Sequence, residues 1–135
     1  MIGTLEKTAL LRGVLFFASL EEEQLRAVAQ LAEPLHVEAE TTVFAQGDPG
    51  VHLFVVVAGR LRVLVDGRST AELGEKEIFG ELALLDHQPR TATVVALTSV
   101  DLLRLSHDAF EELLDEHPNL AAALIPAVLR YVRRS

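Results

Sequence analysis

The feature that most constrains the fold is a continuous apolar run in the middle of the chain, VHLFVVVAG at residues 51–59. Such a run is typical of a strand that is buried on both faces. Neighbouring runs, LHVEAE before it and LRVLV after it, alternate apolar with polar residues. The centre of the chain therefore has the two-residue period of β-strands.

Turn signals separate these runs at short intervals. They are QGDPG at 46–50, AGR at 58–60, DGR at 66–68 and LGEK at 73–76. Two further strand-like runs, TATVVAL and SVDLLRLS, follow later in the chain. Many short strands at this spacing predict a mainly β fold, an antiparallel jelly-roll barrel.

Helical patterns precede the strands. Residues 4–12 show a weak helical pattern, and a stronger one starts at Ser19. Ser19 and Glu22 have the spacing of a capping box, which predicts the start of this second helix. Pro34 is expected to end it, because proline cannot continue a helix.

Helical patterns also follow the strands. Ser106 or Asp108 can cap the segment DAFEELLDEH, and Pro118 suits the first position of a last helix. Pro126 lies inside that last helix and is expected to kink it. We therefore predict one domain over residues 1–135, with N-terminal helices at about 4–33, a barrel at about 35–105 and C-terminal helices at about 107–134.

Composition narrows the classes of function. The chain of 135 residues has a net charge of −8, which argues against nucleic acid as a partner. It contains no cysteine, which excludes disulfides and thiolate chemistry. The apolar patch at 14–17 is too short to span a bilayer, so we expect no membrane partner and a cytoplasmic location.

One segment, GELALLDHQPRTATV from Gly80, combines residue types that suit a phosphorylated sugar. Gly80 lets a ligand approach the backbone, and residues 81–85 can form a helical turn with free N–H groups. Arg90 can hold a phosphate with two bonds, and Glu81 can accept from sugar hydroxyls. For any single residue, a purely structural role stays open: Glu81 could start a short helix and Arg90 could lie in an exposed turn.

The run from Phe79 to Val94 resembles the phosphate-binding cassette of cyclic nucleotide-binding domains. These domains occur in catabolite-activator-type regulators, in regulatory subunits of cyclic-AMP-dependent protein kinase and in nucleotide-gated channels. Four other features also resemble the family: LFFASL at 15–20, the QGD turn at 46–48, VVAGRLRV at 56–63 and the helix–proline–helix pattern at the end. The resemblance implies a jelly roll with helical ends, cyclic AMP or cyclic GMP as the ligand, no cofactor and no metal.

The resemblance also implies roles for residues of the cassette. Glu81 is expected to accept from the ribose 2′-hydroxyl, and Arg90 to pair with the cyclic phosphate. Thr91 is expected to offer its hydroxyl to the phosphate or to the base, which leaves the base undecided, with cyclic AMP ahead of cyclic GMP. The other residues of the implied site contribute backbone groups or lie in register with the family motif, and they are Gly80, Leu82, Ala83, Pro89 and Ala92.

Apolar walls and a lid would complete the implied site. Val63 and Leu73 lie where the family packs apolar side chains against the base, although a plain core role suits both equally well. A residue far along the last helix closes over the base in the family, and the candidates here are Tyr131, Arg134 and Ser135. Tyr131 also continues a helical stripe formed by Leu120, Leu124 and Val128, which suits core packing or helix pairing in a homodimer.

Two turns depart from the family pattern. Before the cassette, the family usually carries glycine beside an acidic residue, whereas this chain has Glu75-Lys76-Glu77 after Gly74. In VEAETTVF, Glu40 stands where the family commonly has glycine. We therefore expect the turn before the cassette to differ in shape.

Three hypotheses for the function follow. The first is a cyclic nucleotide sensor whose terminal helices move on binding and act on an effector protein or domain outside this sequence. The second is an interaction or dimerisation domain that keeps the fold without the nucleotide. The third is a metal-dependent enzyme, which is disfavoured because no two of the five histidines have close ligand spacing: His36, His52, His87, His107 and His117.

Overall fold

The computed structural model describes residues 2–80 and 89–134, with side chains described as far as residue 129. A short 3-10 turn at Leu15–Phe17 lies between the first two helices. The helices and strands in chain order are α1 (Thr4–Arg12), α2 (Glu22–Leu31), β1 (Glu33–Val37), β2 (Thr42–Phe44), β3 (His52–Ala58), β4 (Leu61–Val65), β5 (Arg68–Leu73), β6 (Ile78–Phe79), β7 (Thr93–Ala96), β8 (Val100–Ser106), α3 (His107–Glu116) and α4 (Pro118–Arg134).

The strands form two antiparallel sheets of four strands each. Their orders are β1-β8-β3-β6 and β2-β7-β4-β5. Consecutive strands thus alternate between sheets except at the β4–β5 hairpin, as in a jelly roll. The predicted fold class is confirmed.

The apolar run at 51–59 forms β3, which is buried on both faces as predicted. Leu53 and Val55 pack with the helices in one hydrophobic cluster. Phe54 and Val56 pack in a second cluster, inside the barrel. The alternation of side chains along a strand places the two pairs on opposite faces, so β3 joins both cores.

The predicted start of the second helix at Ser19 is wrong. Helix α2 begins at Glu22, and the backbone N–H of Glu21 donates to the side-chain oxygen of Gln24 at 2.9 Å. The Ser19 hydroxyl instead donates to the carbonyl of Ala123 in α4, at 2.8 Å. A tertiary contact therefore uses the serine, and the helix starts two residues later than its capping pattern indicates.

The C-terminal helices begin where the sequence predicts. The Ser106 hydroxyl accepts from the backbone N–H of Ala109 at 3.4 Å, and α4 starts at Pro118. Helix α4 continues through Pro126, and the kink expected there stays a prediction. Among the described residues, no helix has the length and apolar character needed to cross a membrane.

Both turns that lack the family glycine contain a non-glycine residue in the left-handed region. Glu40 has φ 68° and Lys76 has φ 71°. Hydrogen bonds hold these conformations, because the Glu40 N–H donates to the Ala96 carbonyl at 2.7 Å and the Lys76 N–H donates to the Val56 carbonyl at 2.9 Å. The turns therefore carry backbone strain that glycine would relieve.

We predict that Glu40→Gly raises the free energy of unfolding by about 0.5 kcal/mol, because relief of the left-handed strain exceeds the extra entropy lost by glycine on folding. Chemical denaturation monitored by circular dichroism measures the change. The neighbouring exposed Ala39, whose φ is negative, serves as the control. Ala39→Gly should lower stability by about 0.5–1 kcal/mol, and a loss of the same size in Glu40→Gly would contradict the strain.

Candidate functional site

Gly80 directly follows β6 and lies against the side chain of Arg90. Its φ of +76° is in the left-handed region. A Cβ atom at this position would lie 2.7 Å from Arg90 Nη1 and 2.8 Å from the carbonyl oxygen of His52. Only glycine fits both the conformation and the space, so the cassette glycine is required by the arginine beside it.

Arg90 is buried, with 8% of its surface exposed. Its Nη1 donates to the Gly80 carbonyl at 3.3 Å, and its Nη2 donates to the His52 carbonyl at 2.8 Å. Its Cζ lies 4.1 Å from the centre of the Phe44 ring, in a cation–π contact. Two carbonyl dipoles and an aromatic face therefore stabilise a buried positive charge in an acidic protein.

The QGD turn holds the backbone of Arg90. The Arg90 N–H donates to the Asp48 carbonyl at 2.7 Å, and the Gly47 N–H donates to the Arg90 carbonyl at 2.8 Å. The adjoining residues Pro49 and Pro89 form an isolated antiparallel bridge. Two segments that are remote in sequence and that both resemble the family thus meet at the arginine.

Gln46 connects the same turn to the β4–β5 hairpin. Its Nε2 donates to Asp66 Oδ1 at 3.0 Å, and its Oε1 accepts from the Asp66 N–H at 2.9 Å. Its backbone N–H donates to Thr93 Oγ1 at 2.9 Å. These bonds fix the turn against the sheet that contains the predicted apolar walls.

The predicted wall residues lie on the inner face of the β4–β5 hairpin. Val63 pairs across the sheet with Val94, and Leu73 pairs with Leu61. Val94 and Leu61 are buried, whereas Val63 and Leu73 are only half-buried although they pack against the same inner cluster. Solvent therefore reaches the inside of the barrel at this hairpin.

The structure describes some of the remaining predicted site residues and not others. Thr91 and Pro89 are exposed and Ala92 is half-buried. The backbones of Tyr131 and Arg134 belong to the last turns of α4. Four predicted residues lie outside the described residues, and they are Glu81, Leu82, Ala83 and Ser135.

Two contributors to the arginine site were missed from the sequence, Phe44 and His52. Phe44 offers its ring, and His52 offers a backbone carbonyl that carries no sequence signal. Phe44 also pairs with Val94 across the β2–β7 ladder, which links the arginine to the apolar wall. Only the position of Phe44, two residues before the QGD turn, could have indicated its role.

The surroundings of Arg90 favour negative ligands. Burial lowers the pKa of His52, and the charges of Arg104 and Arg90 lower it further. A histidine whose pKa is lowered in this way is neutral at pH 7, so the permanent positive charges there belong to the arginines.

One cluster of histidine and carboxylates lies away from this site, at the start of α3. His107 Nδ1 is 3.5 Å from Asp108 Oδ1 and 3.6 Å from Glu111 Oε2. Within the described ranges this is the one group with donors close enough for a metal ion, and it contains a single histidine. Both carboxylates are exposed, whereas the His107 side chain is buried.

Comparison with known proteins adds to this geometry. Residues 34–117 match the family model described as the cyclic nucleotide-binding domain. The match covers more than half of the chain and includes the QGD turn, both wall residues and the whole cassette. The chain belongs to the cyclic nucleotide-binding domain family.

Three proteins of known description are similar to this cyclic nucleotide-binding domain. A CRP-like cAMP-activated global transcriptional regulator of Mycobacterium tuberculosis is 27% identical, covering 88% of this chain and 55% of the relative. The N-terminal domain of a transcriptional regulator from Streptomyces coelicolor is 38% identical, with a TM-score of 0.83 and 93% of each chain covered. The regulatory domain of Toxoplasma gondii PKA, solved with cAMP, is 35% identical, with a TM-score of 0.74, 81% of this chain and 43% of that chain. The chain thus spans about half the length of the mycobacterial regulator.

We predict that Gly80→Ala lowers the free energy of unfolding by about 2–3 kcal/mol, because the new Cβ strains the backbone and displaces Arg90. Thermal and chemical denaturation measure the loss. Gly47→Ala is the matched control, since Gly47 has φ +93° and nothing within 4 Å of its Cβ position. Its loss should be about 1 kcal/mol, from strain alone. Equal losses in the two variants would contradict the close contact between Gly80 and Arg90.

Proposed function

We propose that this domain binds a cyclic nucleotide, cyclic AMP in preference to cyclic GMP, and serves as a sensor for an effector protein or domain outside this sequence. The observation that carries the proposal is the buried guanidinium of Arg90, held between Gly80 and the QGD turn. Two relatives support the choice of nucleotide. The mycobacterial regulator is described as cAMP-activated, and the Toxoplasma regulatory domain was crystallised with cAMP.

In this proposal Arg90 pairs with the cyclic phosphate. Its described hydrogen-bond acceptors are neutral carbonyls, and bonds to an ionised phosphate are about twice as strong as bonds to neutral acceptors. Glu81 accepts from the ribose, and Val63 and Leu73 contact the base. The remaining proposed contacts come from Gly80, Leu82, Ala83, Pro89, Thr91 and Ala92, with a lid from Tyr131, Arg134 or Ser135.

The turn that holds Arg90 also contacts the C-terminal helices, which suggests how binding moves them. Asp48 bonds to Arg90, and Val51, three residues later, accepts from the backbone N–H of His107 at 2.8 Å. His107 is the first residue of α3. A ligand that displaces Arg90 thereby shifts the start of α3. The size of the population shift between two helix positions is limited by the difference in ligand affinity between them.

The second hypothesis, a nucleotide-free interaction domain, also has an observation in its favour. Phe44 and the two carbonyls already surround the Arg90 guanidinium in this structure. A buried arginine with such partners is stable without a phosphate. The cassette could therefore persist for structural reasons, and a binding measurement is needed to choose between the two functions.

We predict that cyclic AMP stabilises the protein against thermal unfolding. The free energy of unfolding should rise by about 2.7 kcal/mol at a free concentration one hundred times the dissociation constant. Arg90→Ala should abolish the increase, because it removes the phosphate partner. Arg62→Ala, an exposed residue that pairs with Val95 and Glu72 on the outer face of β4, should keep it. Calorimetric titration with cyclic AMP and cyclic GMP measures both affinities.

Absence of binding of either nucleotide at millimolar concentration would contradict the sensor function and favour the interaction domain. Binding that survives in Arg90→Ala would instead contradict the assigned role of the arginine.

We further propose that residues 1–135 act as a single domain in the cytoplasm, where their cysteine-free composition is suited to reducing conditions.

We also propose that the domain forms a homodimer through α4. The stripe of Leu120 and Leu124 cannot supply the interface, because both are buried in the core formed with the N-terminal helices. Among the α4 side chains that the structure describes, the large apolar ones that are exposed are Ile125, 55% exposed, and Leu129, 50% exposed. They lie four residues apart and so share one helix face.

We predict that the double variant Ile125→Ser, Leu129→Ser shifts the protein to monomer without loss of folding, because both side chains are exposed. Sedimentation equilibrium measures the dissociation constant. Leu5→Ser is the control, since Leu5 is 78% exposed on α1. A wild-type protein that stays monomeric at high micromolar concentration would contradict the dimer.

A further inference from the structure

A cavity opens beside β2, at the edge of the sheet opposite to β5. It has a volume of about 530 Å³ and lies between β1, β2 and the beginning of β3. This volume is within the range of small-molecule sites. We call it the β1–β2 pocket, and the residues that line it are Leu35, Val37, 41–44, Asp48, Pro49, Val51, His52, Phe54, Arg90 and Arg104.

Arg104 is the unusual residue of the β1–β2 pocket. It pairs with Phe54 of β3 and with Glu33 of β1, so it occupies the face of the sheet that carries the barrel interior. Two residues earlier on β8, the same face holds the buried Leu102. Arg104 therefore lies on the strand face that carries apolar side chains at the preceding positions, Val100 and Leu102.

The guanidinium of Arg104 is not fully used by the protein. Its Nε is buried, and it has no acceptor in the part of the chain that the structure describes. Its Nη2 forms an ion pair with Glu33 Oε1 at 3.7 Å, a distance longer than a normal hydrogen bond, and the Glu33 side chain is exposed. The Arg104 side chain as a whole is 36% exposed, so the accessible part of its guanidinium can donate to an acceptor in the pocket.

Other groups in the β1–β2 pocket complement an anion with an apolar body. Arg104, Arg90 and His52 all line it, and both arginine charges act on the imidazole of His52. Asp48 contributes the one carboxylate among the residues that line the pocket, and its Oδ2 already accepts from the Ala45 N–H at 2.9 Å. The apolar lining comes from aliphatic and aromatic side chains, chiefly Leu35, Val37, Phe44 and Phe54.

We propose that the β1–β2 pocket binds a small organic anion, with its carboxylate or phosphate group at Arg104 and an aliphatic body over Phe54 and Val37. The proposed anion position at Arg104 differs from the proposed nucleotide position, because neither Val63 nor Leu73 lines the pocket, although Phe44, Asp48 and His52 adjoin both. Arg90 borders both sites. The proposal does not depend on nucleotide binding, since it rests on Arg104 and the cavity beside it.

Calorimetric titration of the full chain with octanoate, octyl phosphate and octanol tests the proposal. We expect at least one of the two anions to bind at least about tenfold more tightly than octanol, and the tighter anion identifies the head group. Arg104→Gln should weaken anion binding about tenfold or more, and Arg104→Lys, which keeps the charge, should weaken it less. Arg62→Gln, on the outer face of β4, should leave it unchanged.

A second variant keeps the test independent of any effect of Arg104 on folding. Val51 lines the pocket and is 48% exposed, so Val51→Trp can fill the mouth of the pocket without disturbing the core. This variant should also weaken anion binding. Cyclic AMP affinity should change less than about threefold in Arg104→Gln, which separates this site from the nucleotide site.

Three results would overturn the proposal. They are no measurable binding of either anion, octanol binding as tight as that of the anions, and anion binding that is unchanged in both Arg104→Gln and Val51→Trp. Failure of cyclic AMP to bind the wild-type protein would count against the proposed function and would leave these three outcomes to decide on the β1–β2 pocket.

Discussion

The burial of β3 on both faces is the constraint on which the rest of the structure depends. Leu53 and Val55 attach the sheet to the helices, and Phe54 and Val56 close the inside of the barrel. Each such side chain contributes about 1.5–3 kcal/mol on burial, so four of them approach the net stability of a small domain. A polar side chain in this strand would therefore face one of the two apolar clusters without a hydrogen-bond partner supplied by the sequence pattern.

The candidate site depends on the same strand. His52, its first residue, supplies the carbonyl that accepts from Arg90, and Phe54 lies with its ring 6.0 Å from the Arg90 guanidinium carbon. A guanidinium is costly to bury, and only fixed dipoles and aromatic faces around it make the burial tolerable. The position of the arginine therefore depends on contacts that the folded barrel supplies.

Residues 46–51 connect recognition with the helices. The same short segment bonds to the backbone of Arg90, to the β4–β5 hairpin through Gln46 and to the first residue of α3 through Val51. Hydrogen bonds thus connect the arginine with the β4–β5 hairpin and with the start of α3. This arrangement is the physical basis for proposing a sensor, because the arginine and the first residue of α3 are both bonded to one short segment.

The sequence by itself determined the class of fold and the place of the cassette. The apolar run of β3, the short alternating strands and the turn residues between them are local signals, since each follows from the period and conformation of a few consecutive residues. The glycine and arginine of the cassette were likewise visible in one short segment. Their register indicated the family that the comparison with known proteins then showed.

Tertiary structure decided the features whose partners are remote in sequence. The Ser19 hydroxyl bonds to the carbonyl of Ala123, 104 residues away, and helix α2 begins at Glu22. The stacking of Phe44 on Arg90 and the place of Arg104 beside Phe54 arise in the same way, from strands that are remote in sequence and adjacent in the barrel. Local periodicity cannot predict such contacts. It shows which side chains lie on the same face of a helix or strand, but it does not show which residues of other elements contact them.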